Sequence, residues 1–342
     1  MVNRKNKYQI TYFLAAVFLA LIITQCQFRP RGEGVENEII IFSTEEMRFS
    51  LKRSIDSVFN RIIYIPSAET IFDFRFVNPD KFSEYKHYHN LIILSDLKPE
   101  SSVTPLVTKV FGKKEVARLR KGGPEYFSVS DVFARDQLVL VVTGKNKNTI
   151  SAFVEEKSDS IFSWFDEALY ERQKKRLFGK IEDKKLTSEL FDKYGWCIRV
   201  DRDYTLLKED PDNHFVKLGR AFPIRWLSIQ WQDVDQDFNL SKSQASNTVH
   251  LFFELNLKAL KISDYYFSVE RSRFNKWDSW LVNGLWEHKT DIKGGPFKSY
   301  IFYDNLTKRI YHVNLLMFHP GENKLLLLRE LDMLAQTFSV SR

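Results

Sequence analysis

The side chains with the clearest potential for chemistry lie near the C-terminus, where Trp277, Trp280 and Trp286 fall among Asp278, Glu287, His288 and Asp291. Indoles can line a groove for a sugar or a peptide. Glycoside hydrolysis needs two carboxyl groups about 5 to 9 Å apart across a cleft, one as acid and one as base or nucleophile. Trp277, Trp280, Trp286, Glu287 and Asp291 are therefore the candidate binding surface. The competing reading packs the three indoles into a core and leaves the two carboxylates in water.

Other reactive side chains lack companions. Ser83-Glu84-Tyr85-Lys86 has the serine-to-lysine spacing of penicillin-binding enzymes, without their Ser-Asp-Asn or Lys-Thr-Gly partners. His87 and His89 could share one face of a strand, but no nearby cluster completes a tetrahedral set, so no metal site is expected. Cys197, between Trp196 and Ile198, reads as a buried thiol. His312 and Asn314 share the less apolar face of a strand, where a histidine is usually hydrogen-bonded structure. The chain carries no His-Glu-x-x-His, no Gly-x-Ser-x-Gly, no phosphate loop and no glycine-rich dinucleotide turn. No catalytic residue is assigned and no cofactor is expected. Lys121-Gly122-Gly123-Pro124 and Lys293-Gly294-Gly295-Pro296 read as turns, with glycines free to take positive φ.

Cys26 implies chemistry by its position. Arg4, Lys5 and Lys7 precede an apolar run from Ile10 to Ile23, and Cys26 follows directly. That order of charge, apolar run and processing site is a signal peptide over residues 1–25. The run is shorter than the roughly 20 residues that cross a bilayer. Ile23-Thr24-Gln25-Cys26 resembles a lipobox, although Gln25 stands where a small residue is usual. Lipidation of Cys26 would hold the protein on a membrane, at about 0.8 kcal/mol per buried CH2. Gln27 to Glu36 then reads as a flexible tether. Its first residues are not acidic, which points to the periplasmic side of the cell envelope. The partners expected are the membrane through the anchor and an envelope protein or glycan.

Loss of Arg4, Lys5 and Lys7 takes the basic count from 51 to 48 against 44 acidic residues, a net charge of +4. That mixed balance gives no reason to expect a nucleic-acid partner. The basic run Arg172 to Arg176 ends a helical pattern, where cations oppose the negative helix end. With Cys26 acylated, Cys197 has no thiol to pair with.

The elements that must position these residues fall into two patterns. Glu38 to Phe42 is a strand, and Thr44 caps a helix whose Met47, Leu51, Ile55, Val58 and Phe59 recur at helical spacing. Ile71 to Val77 alternates, while Leu91 to Leu94 is a continuous apolar run suited to a strand covered on both faces. A helix from Thr104 toward Arg120, a strand from Gln137 to Thr143 and a helical tract from Asn148 to about Phe178 complete an α/β layered domain over 37–179. The domain boundary falls between Gly179 and Gly195.

Strands then dominate. They are Ile198 to Tyr204, Phe215 to Leu218, Arg225 to Trp231, Tyr265 to Arg271, Trp280 to Glu287, Phe297 to Asp304 and Arg309 to Phe318. A helix from Ser241 to about Leu260 and a closing helix capped by Asn323 pack on them. This makes an antiparallel sheet with packed helices over 180–342, and the fold class is α+β.

Gly284-Leu285-Trp286-Glu287, Gly294 to Tyr300, Tyr303-Asp304 and Arg329-Glu330-Leu331 resemble the signature of an uncharacterised family of Bacteroidota lipoproteins, described as a domain of unknown function. Asp131-Val132-Phe133-Ala134 with Gln137-Leu138-Val139 resembles the same family's N-terminal element. The resemblance implies architecture and an envelope location; the family has no activity to carry over. Tyr194-Gly195-Trp196, Phe215-Val216 and the ending at Thr337-Phe338 are similar to the Mog1/PsbP-like fold, which does not give function. The resulting expectation is a non-catalytic envelope lipoprotein that binds or scaffolds. The alternative is an envelope hydrolase or transferase using Glu287 and Asp291.

Overall fold

A computed structural model describes residues 29–341, apart from 66, 123–124, 180 and 235–237. The signal peptide and Cys26 lie outside the described residues. Contacts divide the chain into two units, Met1–Ile55 with Phe74–Ala168, and Asp56–Asp73 with Leu169–Arg342. The chain runs through β1 (Glu38–Phe42), α1 (Glu45–Phe59), a small hairpin of β2 (Ile63–Ile65) and β3 (Ser67–Glu69), β4 (Asp73–Val77), α2 (Phe82–Tyr85) and β5 (Asn90–Ser95). Next come α3 (Thr104–Phe111), α4 (Lys113–Leu119), β6 (Glu125–Ser130), β7 (Leu138–Thr143), α5 (Lys147–Glu156) and α6 (Ser158–Leu177).

The first unit holds a five-stranded sheet in the order β4-β1-β5-β7-β6. Strands β1, β5 and β7 are parallel, and β6 runs antiparallel to β7 at the edge. The three parallel strands read as continuous apolar runs because both faces are covered. Ile40, Phe42, Leu91, Ile93, Val139 and Val141 pack against Phe82, Leu106, Val107 and Val116 of the helices. The alternate residues Ile39, Ile41, Ile92, Leu140 and Val142 are buried as well. Burying each such side chain stabilises by about 1.5–3 kcal/mol. Thr44 caps α1 as expected, its Oγ1 accepting from the Met47 N–H at 3.4 Å. Strand β6 was not anticipated, because its half-exposed edge pattern lacks a continuous apolar signal.

Two long helical tracts of the sequence reading are broken. The Thr104–Arg120 tract stops at Gly112, whose φ of 82° lies outside the helical region, and the Asn148–Phe178 tract turns at Lys157. The expected tether is also corrected in part. The Arg135 N–H donates to Pro30 O at 2.8 Å, Gly32 N–H to Arg135 O at 2.9 Å and Glu33 N–H to His87 O at 2.8 Å. A Cβ on Gly32 would stand 2.4 Å from the His89 ring, so this glycine serves a close approach and not flexibility.

The second unit contains α7 (Lys184–Tyr194), β8 (Thr205–Asp210), β9 (Phe215–Arg220), β10 (Ile224–Asp233), α8 (Lys242–Asn256), β11 (Leu260–Phe274), β12 (Trp277–His288), β13 (Gly294–Asp304), β14 (Arg309–Phe318) and α9 (Leu325–Ala335). Its seven strands form one antiparallel sheet in the order β11-β12-β13-β14-β10-β9-β8. Ile198–Tyr204, expected as a strand, is irregular; Thr205–Asp210 forms the strand instead and pairs with β9 across the Asp210–Asn213 turn. The capping of α9 differs too. In place of Asn323, the buried carboxylate of Glu69 accepts from the Lys324 and Leu325 N–H groups, both at 2.7 Å. An anion at a helix N-terminus satisfies the orphan donors and meets the positive end of the dipole.

The sheet has two dissimilar faces. Leu227, Ile229 and Trp231 point to one, with Leu190 and Tyr194 of α7, Leu331 and Leu334 of α9, and Phe338. Trp226, Trp280, Trp286 and Leu316 point to the other, beneath Ala245, Val249, Phe252 and Phe253 of α8. Helix α8 begins with a capping box, Ser241 and Gln244 bonding each other's backbone N–H. Among the described residues no helix is long and apolar enough to cross a membrane.

Candidate binding cleft

The candidate surface read from the sequence is not brought together. Trp277 lies in the core beneath α7 and α9, while Trp280 and Trp286 lie in the core beneath α8. Side chains alternate across a strand, so an odd and an even position of β12 cannot line one groove. Each indole N–H is committed: Trp277 to Asp304 Oδ1 at 2.8 Å, Trp280 to Leu240 O at 2.7 Å and Trp286 to Met317 O at 3.0 Å. Glu287 accepts from the Ser263 hydroxyl and pairs with Lys261 at 3.3 Å. Asp291 pairs with Lys293 at 2.7 Å in the turn before β13. The Ser263 bond, with Lys261, holds the Glu287 carboxyl below its ordinary range, and Lys293, with His288, does the same for Asp291. Two carboxylates kept ionised supply no general acid.

The other sequence candidates serve structure. Cys197 sits in an isolated bridge with Ser339, and burial pushes its thiol up, away from the reactive thiolate. His89 is buried with Nδ1 3.4 Å from Asp136 O. Gln137, from the family-like N-terminal element, staples its loop: its Oε1 accepts from Phe133 and Ala134, and its Nε2 donates to Lys86 O and Tyr88 O. Among the described residues no group of three His, Cys, Asp or Glu side chains could hold a metal ion.

A different cluster lies under α8. The pairing of β10 with β14 sets Ser228 beside Asn314 and Gln230 beside His312. The pairing of β14 with β13 sets Ser299 beside Asn314. These make a polar row on a face that is otherwise core. His312 Nε2 lies 2.9 Å from Ser299 Oγ, and Asn314 Nδ2 donates to the same hydroxyl at 2.8 Å. Among the described residues, His312 Nδ1 and Asn314 Oδ1 are both buried without a partner.

A hydroxyl and an imidazole at that spacing resemble a nucleophile and its base. Three features oppose that role. Ser299 is wholly buried, at 0% exposure. Asn314 bonds the serine and does not orient the imidazole. Desolvation pushes His312 down to about 3, far below a useful base.

Beside this cluster opens a cleft of about 420 Å3 between α8 and the β10–β14 ladder. Its size lies within the roughly 300–1,000 Å3 range of small-molecule sites. Its apolar walls include Phe238, Leu240, Phe252 and Ile310, its polar positions are Gln230, Gln232, Gln244, Asn247 and Thr248, and His312 also lines it. Among the described residues its lining carries no Asp, Glu, Lys or Arg. Leu251 and Leu255 border it while 54% and 58% exposed. Sequence reasoning missed this place. The available signals were Leu251 and Leu255, which fall off the buried stripe of α8, and the polar row crossing a core-facing side of the sheet.

Comparison with known families divides the chain at much the same place as its sheets. Residues 33–178 match the family model described as Domain of unknown function (DUF8532). Residues 257–337 match a second, Domain of unknown function (DUF4837). The expected resemblance to families of unknown function is thus borne out, with two models where one family had been expected. No curated protein matches the chain. Among solved structures, the Saccharomyces cerevisiae Ran-binding protein Mog1p is similar at 11% identity, covering 43% of this chain and 92% of that one with a TM-score of 0.31. LpqN, described as involved in cell envelope biogenesis of Mycobacterium tuberculosis, is similar at 13% identity, covering 42% of this chain and 82% of that one with a TM-score of 0.26.

Proposed function

We propose that this chain is a membrane-anchored cell-envelope lipoprotein that binds a partner or ligand without transforming it, and that the cleft beneath α8 is where it binds. The cleft carries this reading: it joins an apolar lining to uncharged hydrogen-bonding groups, and among the described residues none of its lining side chains is poised to transfer a proton. The anchor rests on the run from Arg4 to Cys26. Because Pro30 is already bonded to Arg135, three residues link Cys26 to the fold, a reach of no more than about 14 Å over four Cα–Cα steps. Such a short link would hold the first unit close to the bilayer surface.

Two measurements test the proposal. Cys26→Ala should abolish incorporation of labelled fatty acid, and label on the alanine variant would refute the anchor. A photoreactive residue at Leu251 should crosslink in intact cells to an envelope component, and an Asn247→Trp substitution that fills the cleft mouth should suppress the product. Crosslinking untouched by Asn247→Trp would move binding elsewhere.

A further inference from the structure

On the reading that Cys26 carries the anchor, the fold selects which surface of the first unit meets the bilayer. Strands β1, β5 and β7 start level with one another, Ile39 opposite Asn90 and Asn90 opposite Leu138. Residues 30–38 cross that end of the sheet as a strap. Pro30 and Gly32 bond Arg135, the His89 N–H donates to Glu33 O at 3.1 Å, and Asn90 Nδ2 donates to Glu36 O at 2.9 Å and Glu38 O at 3.0 Å. The strap is therefore part of the fold, and residues 27–29 alone separate it from Cys26. Their reach of about 14 Å is shorter than β5, whose six residues span about 20 Å. The opposite end of the sheet, where these strands finish, is then too far from the anchor to rest on the membrane. The near end also carries suitable charge. In the strap and its bridge partners the exposed side chains are Arg29, Arg31, Glu33, Val35 and Arg135, and Arg31 and Arg135 are neighbours in a parallel bridge. Guanidinium groups fit phosphate oxygens in paired hydrogen bonds.

We propose that the start of the parallel sheet in the first unit is a membrane-docking surface, on which Arg29, Arg31 and Arg135 meet the phosphate groups of anionic lipids in the leaflet that holds the anchor. Docking fixes an orientation that the acyl chains alone leave free. The ends of β1, β5 and β7, with the loops that follow them, face away from the bilayer.

The test uses the full chain, purified from membranes and placed in nanodiscs that contain phosphatidylglycerol or phosphatidylcholine with a diazirine on the headgroup. The phosphatidylglycerol probe should label the peptides that hold residues 29–35 and 135, and leave residues 96–98 and 145–147 at the far end of the sheet unlabelled. It should label the near end about fivefold or more above the phosphatidylcholine probe, the scale of one basic side chain at an anionic surface. Arg31→Gln with Arg135→Gln, both at exposed positions, should bring the two probes level. Label concentrated on residues 96–98 or 145–147, equal labelling of wild type by both probes, or labelling indifferent to the two arginines would each overturn the proposal. The mass of the Cys26 peptide separates this from the anchor itself. Acylated protein with any of those results leaves the anchor standing and removes the docking surface, whereas a Cys26 without acyl chains removes both.

Discussion

The two faces of the seven-stranded sheet are built from the same strands and differ in what they bury. Beneath α7 and α9 the aromatic rings interlock, Trp277 on Phe302 at 4.7 Å, Phe274 on Phe302 at 5.0 Å and Tyr311 on Phe338 at 5.0 Å between centroids. Charged groups are buried there in hydrogen-bonded sets: Glu330 accepts from Arg225 at 3.2 Å and Arg176 at 2.7 Å, and Asp304 accepts from the Trp277 indole. Beneath α8 the packing is interrupted by Ser228, Asn314, Ser299 and His312, and a cleft remains open. Polar groups under a helix cost stability unless they serve something, which makes the looser face the place to look for function.

The largest effect should come from removing Glu330. Glu330→Ala leaves Arg225, whose side chain is 4% exposed, as an uncompensated buried charge. A loss of about 3–5 kcal/mol is expected, read as a shift in the urea midpoint. A loss below about 1 kcal/mol would mean that water reaches this pair and that the α9 face is less tight than its ring packing suggests.

The α8 face has its own signature in pH. His312 is held down to about 3 in the fold, against about 6.5 when unfolded, because burial disfavours its charged form. The unfolded chain therefore binds the extra proton between these values. This contribution to stability is complete above about pH 6.5 and is lost as pH falls toward 3, about 5 kcal/mol over the whole span. Compared between about pH 7.5 and pH 4, a folded His312→Asn protein should lose about 3 kcal/mol less than wild type. Equal losses would show that the imidazole is hydrated and that the cleft floor is wet.

Gly295 sharpens the comparison from within the strands. Its expected role was positive φ in a turn, but it lies inside β13 opposite Trp286. A Cβ there would stand 2.2 Å from Met317 O, the carbonyl that also accepts the Trp286 indole. Gly295→Ala should cost about 1–3 kcal/mol by forcing the backbones apart, seen as a lower melting temperature. An unchanged melting temperature would mean that this edge of the α8 core yields freely.

The strands and helices with strong periodicity were legible because burial imposes it: β1, β5, β7, β10 and β14 all lie where their apolar runs fall. Boundaries set by a single residue were not, as at Lys157 between α5 and α6. The cap of α9 was beyond local reading, since Glu69 lies 255 residues before Lys324. The candidate surface failed for a related reason. Trp277, Trp280, Trp286, Glu287 and Asp291 are neighbours in sequence, but strand alternation and the turn after His288 send them to two cores and to solvent. The cleft joins residues from β10, α8 and β14, and only the fold makes them neighbours.

The smallest expected effect decides between binder and enzyme. Glu287 lies at the end of β12, bonded by Ser263 and Lys261, and Asp291 is a turn carboxylate bonded by Lys293. Both are ionised and solvent-accessible, and exposed pairs of this kind contribute little. Glu287→Gln and Asp291→Asn should each change stability by less than about 0.5 kcal/mol and leave any envelope phenotype intact. An acid-base enzyme requires the opposite, because amide replacement removes the proton-transferring group while preserving shape. A stable, correctly localised Glu287→Gln or Asp291→Asn protein that fails to complement a deletion strain would place chemistry at the β12–β13 turn. It would also displace the α8 cleft as the functional face, since no described residue of that cleft lies in the turn.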